Sequence, residues 1–164
     1  KPGIHIVTGD VNAGKTTFVR QLYRQHAAVA DGVLSEKIFR RERFLGYRLV
    51  HLRSGNAMDL ALVENEYHQQ FSEASRLGVF VFSSEAFLFG TKILMELCAD
   101  PTIGTVFLDE AGPLELHGQG FAGILPALLH AEKELYITVR SDCLREFLRI
   151  YSIDNHQIIK VPIG

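Results

Sequence analysis

Gly9-Asp10-Val11-Asn12-Ala13-Gly14-Lys15-Thr16 fits the pattern G-x-x-x-x-G-K-[ST], and no other segment constrains the fold of this chain so tightly. Ile4-His5-Ile6-Val7 before it is a short β-rich apolar run. Thr16 to Tyr23 after it has helical spacing, with Phe18, Val19 and Leu22 on one face. Strand, glycine loop and helix, in that order, form the context in which this pattern binds phosphate. The first helical turn offers unpaired N–H groups and the positive end of the helix dipole, and successive loop amides form a nest for an anion. Gly9 and Gly14 let the backbone approach a phosphate without a Cβ in the way. The phosphate-binding residues expected are therefore Gly9, Asp10, Val11, Asn12, Ala13, Gly14, Lys15, Thr16 and Thr17. Lys15 supplies a positive charge to the β- and γ-phosphates, and the Thr16 hydroxyl is a ligand for Mg²⁺. Asn12 occupies a place often held by Gly, and Asn tolerates positive φ. Asp10 is an anion beside an anion site, so its carboxylate is expected to point away while its backbone lines the loop.

A second segment carries chemistry. Thr105-Val106-Phe107-Leu108-Asp109-Glu110 reads as a buried strand ending in two carboxylates, the Walker-B pattern. Asp109 is expected to hold Mg²⁺ beside Thr16, and Glu110 to orient or deprotonate an attacking water. Both segments belong at one carboxyl edge of a sheet, where open α/β folds bind ligands. Arg140 follows the apolar run Leu135–Val139 directly and falls at the same edge. It is a candidate for offsetting charge on the γ-phosphoryl oxygens, with a surface pairing to Asp142 or Glu146 as the competing account. The catalytic candidates are Lys15, Glu110 and Arg140; the metal candidates are Thr16 and Asp109.

The remaining pattern alternates strands and helices. Asp31-Gly32 punctuate; Val33–Phe39 and Phe44–Leu52 read as two strands of a β-hairpin joined by the charged turn Arg40–Arg43. Arg53–Asn56 is a loop, and Ala57–Ser75 has no readable period. Val79–Phe82 is a short strand, followed by a helix to Ala99 with Ser84 as the expected N-cap. Thr105–Leu108 is a strand, Gly120–His130 a helix and Leu135–Val139 a strand. Ser141 or Asp142 caps a last helix to Tyr151, and Gln157–Val161 closes the sheet. This order predicts an α/β fold of three layers: a mainly parallel sheet with helices on both faces, into which a β-hairpin is inserted. Residues 1–164 read as a single domain.

Composition narrows the function. With 164 residues, 47% of them hydrophobic, the chain has enough apolar material for a sizeable core. A net charge of −2 argues against bulk nucleic-acid binding, which needs a strongly basic face. No apolar run reaches the roughly 20 residues of a membrane span, and the first residues lack a signal-peptide layout, so a cytoplasmic protein is expected. Cys98 and Cys143 show no metal-type spacing and are expected to be buried reduced thiols. The histidines show no ligand spacing, and Ser35, Ser83 and Ser84 lack a His–Asp context. The basic run Lys37, Arg40, Arg41, Arg43, Arg48 and Arg53 spans the hairpin 37–53. It reads as a lid over a triphosphate, a patch for a phosphorylated partner, or a solvated tip with Glu36 and Glu42 interleaved.

Asp109-Glu110-Ala111-Gly112-Pro113-Leu114-Glu115-Leu116, followed by Gly120-Phe121, resembles the Walker-B signature of a family of small nucleoside-triphosphatases. That family includes the cancer-related nucleoside-triphosphatase and its hyperthermophile relatives. Further matches are Thr8–Thr17, Gly32–Glu36, Gly46-Tyr47, Gly78 with Val81, and Ser84-Glu85-Ala86-Phe87, so the resemblance spans nearly the whole chain. It implies the P-loop NTPase fold and Mg²⁺-dependent hydrolysis of nucleoside 5′-triphosphates to diphosphate and phosphate, with loose base selectivity. Ala111 replaces a bulkier aliphatic residue, Pro113 a basic one, and Val11-Asn12 a Pro-Gly pair. These departures bear on rate rather than on the phosphate chemistry.

The substrate expected is a nucleoside triphosphate, ATP, GTP or another. The guanine-reading pattern [NT]-K-x-D is absent, the near miss Thr91-Lys92-Ile93-Leu94 lacking its Asp. Tyr136, Tyr151 and His156 are candidates for stacking on a base, against the alternative of buried aromatics and a solvated His. Two further functions use the same loop. A small-molecule kinase would pass the γ-phosphoryl group to an acceptor hydroxyl. A nucleotide-gated adaptor would use hydrolysis only to reset.

Overall fold

The apolar run after Gly3 and the Gly9 turn become strand β1 (Ile4–Gly9), and the helical spacing that follows becomes α1 (Lys15–His26). The computed structural model describes residues 2–162. In chain order the elements that follow are β2 (Ala30–Arg40), β3 (Arg43–His51), β4 (Ala57–Val63), β5 (Glu73–Leu77), β6 (Phe80–Ser83), α2 (Ser84–Ala99), β7 (Thr105–Ala111), α3 (Pro113–Leu116), α4 (Leu125–Leu129), β8 (Glu134–Arg140), α5 (Leu144–Ile150) and β9 (Gln157–Lys160).

Among the described residues nine strands join one sheet in the order β5-β6-β4-β3-β2-β7-β8-β1-β9. From β2 to β9 every pairing is parallel; from β2 outward to β5 every pairing is antiparallel. The expected hairpin is thus β2–β3, the start of a five-strand antiparallel run β2-β3-β4-β6-β5, in which β4 and most of β5 come from the stretch without a readable period. α1 covers one face, where Val19 packs on Ala30, Leu34 and Phe107. The helices after β6 cover the other, around Leu94, Leu97, Leu125, Leu128 and Phe147. Helices on both faces explain why β7 is buried along almost its whole length. Among the described residues no helix is long and apolar enough to cross a membrane.

Several local expectations need correction. Asp31-Gly32 lie inside β2 rather than before it. The Asp31 carboxylate accepts the N–H groups of Gly32 (2.8 Å) and Arg53 (3.1 Å) and pairs with His51 Nε2 (2.7 Å). Gly32 is there for close approach, since a Cβ would lie 2.1 Å from the Phe107 carbonyl oxygen. Ser83, not Ser84, caps α2: its Oγ accepts the Ala86 N–H at 3.0 Å, while Ser84 is the first helical residue. The helix expected over 120–130 shrinks to α4: Gly120 turns at φ 62, and residues 121–124 form turns before it, with the Phe121 N–H donating to Glu115. Neither Ser141 nor Asp142 caps α5; both lie in a 3₁₀ turn (Ser141–Cys143) that precedes it. Cys143 is buried as expected, whereas Cys98 is half-buried; both are free thiols.

Candidate active site

The carboxyl ends of β1 and β7 reach the same edge of the sheet, with β8 between them. β1 delivers the loop and α1 begins at Lys15, so the loop bridges strand and helix. The Ala13 N–H donates to the Asp10 carbonyl at 3.0 Å, and Asn12 (φ 64) and Gly14 (φ 98) take the left-handed conformations that reverse the chain. At Gly9 the reason is space: a Cβ would lie 2.5 Å from the Val161 carbonyl oxygen. Lys15 is buried, and its Nζ donates to the carbonyls of Gly9 (2.9 Å) and Asp10 (2.8 Å), which holds the ammonium over the loop. The Asp10 carboxylate turns outward to accept the Ser141 hydroxyl, and Asn12 Oδ1 accepts from Lys37 Nζ.

Asp109 is fully buried. Its Oδ2 accepts the Thr16 hydroxyl at 2.8 Å and the Ser35 N–H at 3.0 Å; its Oδ1 accepts the Thr138 hydroxyl at 2.6 Å. Thr138 Oγ1 also accepts the Glu110 N–H at 2.6 Å, so its one proton is committed to Asp109. Burial pushes the Asp109 carboxyl up from its ordinary range, and these three hydrogen bonds together with Lys15 oppose that rise. Donors on every side suit the ionised form.

Consecutive strand residues point to opposite faces, so two adjacent carboxylates in a regular strand would not share a site. The structure resolves this with a bulge. The β7–β8 register jumps from Leu108↔Ile137 to Ala111↔Val139, so Asp109 and Glu110 together face Thr138, and Glu110 takes φ 74. A left-handed non-glycine residue costs about 1–2 kcal/mol. Here it brings Glu110 into the pocket beside buried Asp109, and the Thr138 hydroxyl replaces the ladder partner that the Glu110 amide loses. Glu110 is the one exposed residue of β7 and lines the pocket wall. Desolvation there and the Asp109 charge push its carboxyl up to about 7, against the pull of Lys15 and Arg140.

The pocket, about 840 Å³, runs from the loop past Arg20, Ser35 and Arg140 to an aromatic wall on the antiparallel extension. Arg140 lines its border with Nε on Asp142 at 2.6 Å, the surface pairing of the competing account. The basic run divides: Lys37 lines the pocket, Arg40 and Arg43 pair with Glu66 at the hairpin tip, and Arg53 donates to the carbonyls of Ala27, Ala28 and Ala30. The base-stacking candidates stand elsewhere. Tyr136 is stacked between His5 (centroids 4.3 Å apart) and Phe107 (5.2 Å), Tyr151 packs on Phe147 at 5.0 Å, and His156 does not line the pocket.

Three participants carry no motif. Thr138 and Ser35 reach Asp109 from neighbouring strands, and only cross-strand register, which a local pattern does not encode, could have shown them. Glu115 matched the resembling block without a role. It is buried, and its two oxygens accept the N–H groups of Gly112 and Phe121, each at 2.8 Å, tying the turn after β7 to the loop before α4. Burial, against those two bonds, raises its carboxyl to about 7.

Oxygen donors of this kind fit a hard divalent cation. The Thr16 hydroxyl and the Asp109 carboxylate are adjacent, and the buried Ser35 hydroxyl oxygen beside them has no protein hydrogen-bond partner.

The chain is similar to proteins already known. Nucleoside-triphosphatase THEP1 of Archaeoglobus fulgidus is 28% identical over 156 residues, covering 90% of this chain and 87% of that protein. The protein of the same name from Pyrococcus abyssi is 27% identical over 137 residues, covering 81% and 72%. The crystal structure of THEP1 from the hyperthermophile Aquifex aeolicus superposes with a TM-score of 0.72 at 18% identity, covering 96% of this chain and 89% of that one. The solution structure of a human cancer-related nucleoside triphosphatase gives 0.69 at 19% identity, covering 100% and 90%. These two share the P-loop NTPase fold described above. The family model described as NTPase matches residues 5–163, and the chain therefore belongs to the NTPase family of nucleoside-triphosphate-hydrolysing enzymes.

Proposed function

We propose that this chain hydrolyses nucleoside 5′-triphosphates to diphosphate and phosphate with Mg²⁺ and little base selectivity. The observation that carries the reading is the 2.8 Å hydrogen bond from Thr16 to Asp109, with Glu110 next in the chain. It brings the amide-lined loop and the acidic pair to one edge of the sheet. The relatives named nucleoside-triphosphatase support the same activity.

Thr16 and Asp109 would hold the Mg²⁺, which when bound neutralises charge on the β- and γ-phosphate oxygens. The loop amides and Lys15 fix the phosphates, so the γ-phosphorus is presented to Glu110. Glu110, with a carboxyl near 7, is matched to taking a proton from water at neutral pH. Asp109, whose two oxygens accept three hydrogen bonds, is occupied in holding the Thr16 side of the site, so the two adjacent carboxylates divide the work. Arg140 at the border offsets charge that develops on the phosphoryl oxygens. Loose base selectivity is supported by the engagement of Tyr136 and Tyr151 in packing away from the pocket. Phosphate release from ATP, GTP, CTP and UTP, each with Mg²⁺ and with chelator, tests the reading. Release from all four that disappears with chelator is expected; equal release with chelator, or release from one base alone, contradicts it.

A further inference from the structure

Past Glu110 the pocket continues into a chamber that attack by water does not require. Its wall is Tyr47, Leu60, Phe80, Phe82, Phe87 and Phe121. Ring centroids lie 5.5 Å apart for Tyr47–Phe80, 6.4 Å for Phe80–Phe82, 5.9 Å for Phe82–Phe87 and 5.1 Å for Phe87–Phe121, so the rings form one continuous surface. The pocket of about 840 Å³ is shared between the phosphate loop and this wall, and a single water, about 30 Å³ of liquid volume, would leave the wall uncovered.

The acidic pair decides which end of a bound nucleotide faces this chamber. In phosphoryl transfer the attacking oxygen stands opposite the leaving oxygen, on the far side of the γ-phosphorus. Glu110 is the base for that attacking oxygen, and Glu110 borders the chamber. The nucleobase is at the other end of the molecule. Burial, then the charges of Glu110 and Asp109, raise the pKa of the Tyr47 phenol, so it keeps its proton and remains a donor at the chamber's inner end.

The geometry points to a second substrate: a small uncharged alcohol bearing an aromatic ring, seated on this wall with its hydroxyl between Glu110 and the γ-phosphoryl group, which it accepts in place of water. The inference rests on the loop and Glu110 assignments made above. A neutral ring suits the apolar wall, and two of the cations at the rim are already ion-paired, Arg20 with Glu36 and Arg140 with Asp142. In the transfer, the alcohol oxygen bonds to the γ-phosphorus and the bond from that phosphorus to the β–γ bridging oxygen breaks. The hydroxyl proton passes to the Glu110 carboxylate. The products are the nucleoside diphosphate and a phosphate monoester, and Glu110 returns its proton to solvent.

The test incubates the full chain with γ-labelled ATP and Mg²⁺ in separate arms containing benzyl alcohol, tryptophol, adenosine or adenosine monophosphate, and counts label in inorganic phosphate and in ester. Label is expected in the ester of an uncharged ring alcohol, saturating with its concentration, with the monophosphate a poorer acceptor. Phe82→Leu, which keeps an apolar side chain and removes the ring, should lower the ester-to-phosphate ratio about tenfold, with Phe82→Asp lowering it further. Phosphate release without ester in any arm overturns the second substrate and leaves hydrolysis standing. So does ester that rises linearly with alcohol and is unchanged in both variants. Preference for the monophosphate overturns the neutral-ring assignment, and loss of phosphate release in every arm overturns the hydrolase reading itself.

Discussion

The hydroxyl of Thr138 donates to Asp109 Oδ1 at 2.6 Å from the neighbouring strand, and it has no second proton to give. Its other contact, the Glu110 amide, is a donor, so one threonine fixes the Asp109 carboxylate and the bulge that carries its neighbour. Thr138→Val should raise the Mg²⁺ concentration needed for half-maximal phosphate release by roughly 10–100-fold, the usual effect of losing a group that orients a ligand. Thr138→Ser should restore it. A Val variant with unaltered Mg²⁺ dependence would show that the contact is only structural.

The pH dependence follows from Glu110. Its carboxyl is raised to about 7, so below that value it is protonated and cannot take a proton from water. kcat for phosphate release should therefore rise with pH on an acid limb centred near 7, and that limb should disappear in Glu110→Gln. A flat wild-type profile across neutral pH would remove Glu110 as base.

Glu115 makes a stability prediction. Folding raises its carboxyl from 4.5 to about 7, so the folded state holds this proton more tightly than the unfolded chain. The stability this contributes is complete below the unfolded value and is lost as pH rises through the folded one. Glu115→Gln keeps an acceptor for one of the two amides and sets an NH₂ against the other, a cost of roughly 1–3 kcal/mol. Urea unfolding of both proteins at mildly acidic and mildly alkaline pH checks this. The variant should be less stable than the wild type at mildly acidic pH, and the gap should narrow on going to the alkaline one, where the wild type has lost its proton-linked share.

Lys15→Ala should weaken nucleotide binding itself by roughly 10–100-fold, the scale of hydrogen bonds to a charged group. Titration calorimetry with a non-hydrolysable ATP analogue measures it. Undiminished affinity would detach Lys15 from the phosphates.

The loop and the acidic pair were legible because their chemistry is local. Two glycines, a Lys-Thr pair and an apolar strand ending in Asp109-Glu110 carry their geometry within a few residues. What the sequence hid depends on neighbours distant along the chain. β4 buries Leu60, Ala61 and Leu62 in succession, so it lacks the alternation that marks a half-buried strand. β5 (Glu-Ala-Ser-Arg-Leu) is a polar edge strand defined only by pairing with β6. Gly120 to His130 carries enough helix formers to suggest a long helix, but the chain packs Gly120 against the Glu115 carboxylate in a left-handed turn, and the helix starts only at Leu125. Ser35 and Thr138 became site residues through parallel register alone.

The account rests on a triphosphate lying between the Gly9–Thr17 loop and the Asp109–Glu110 pair, and Glu110→Gln tests that arrangement most directly when turnover and nucleotide affinity are measured on the same preparation. Turnover should fall by roughly 10²–10⁴, the loss typical of a missing general base, while affinity for the nucleotide stays close to wild type. Phosphate release at the wild-type rate would contradict the account.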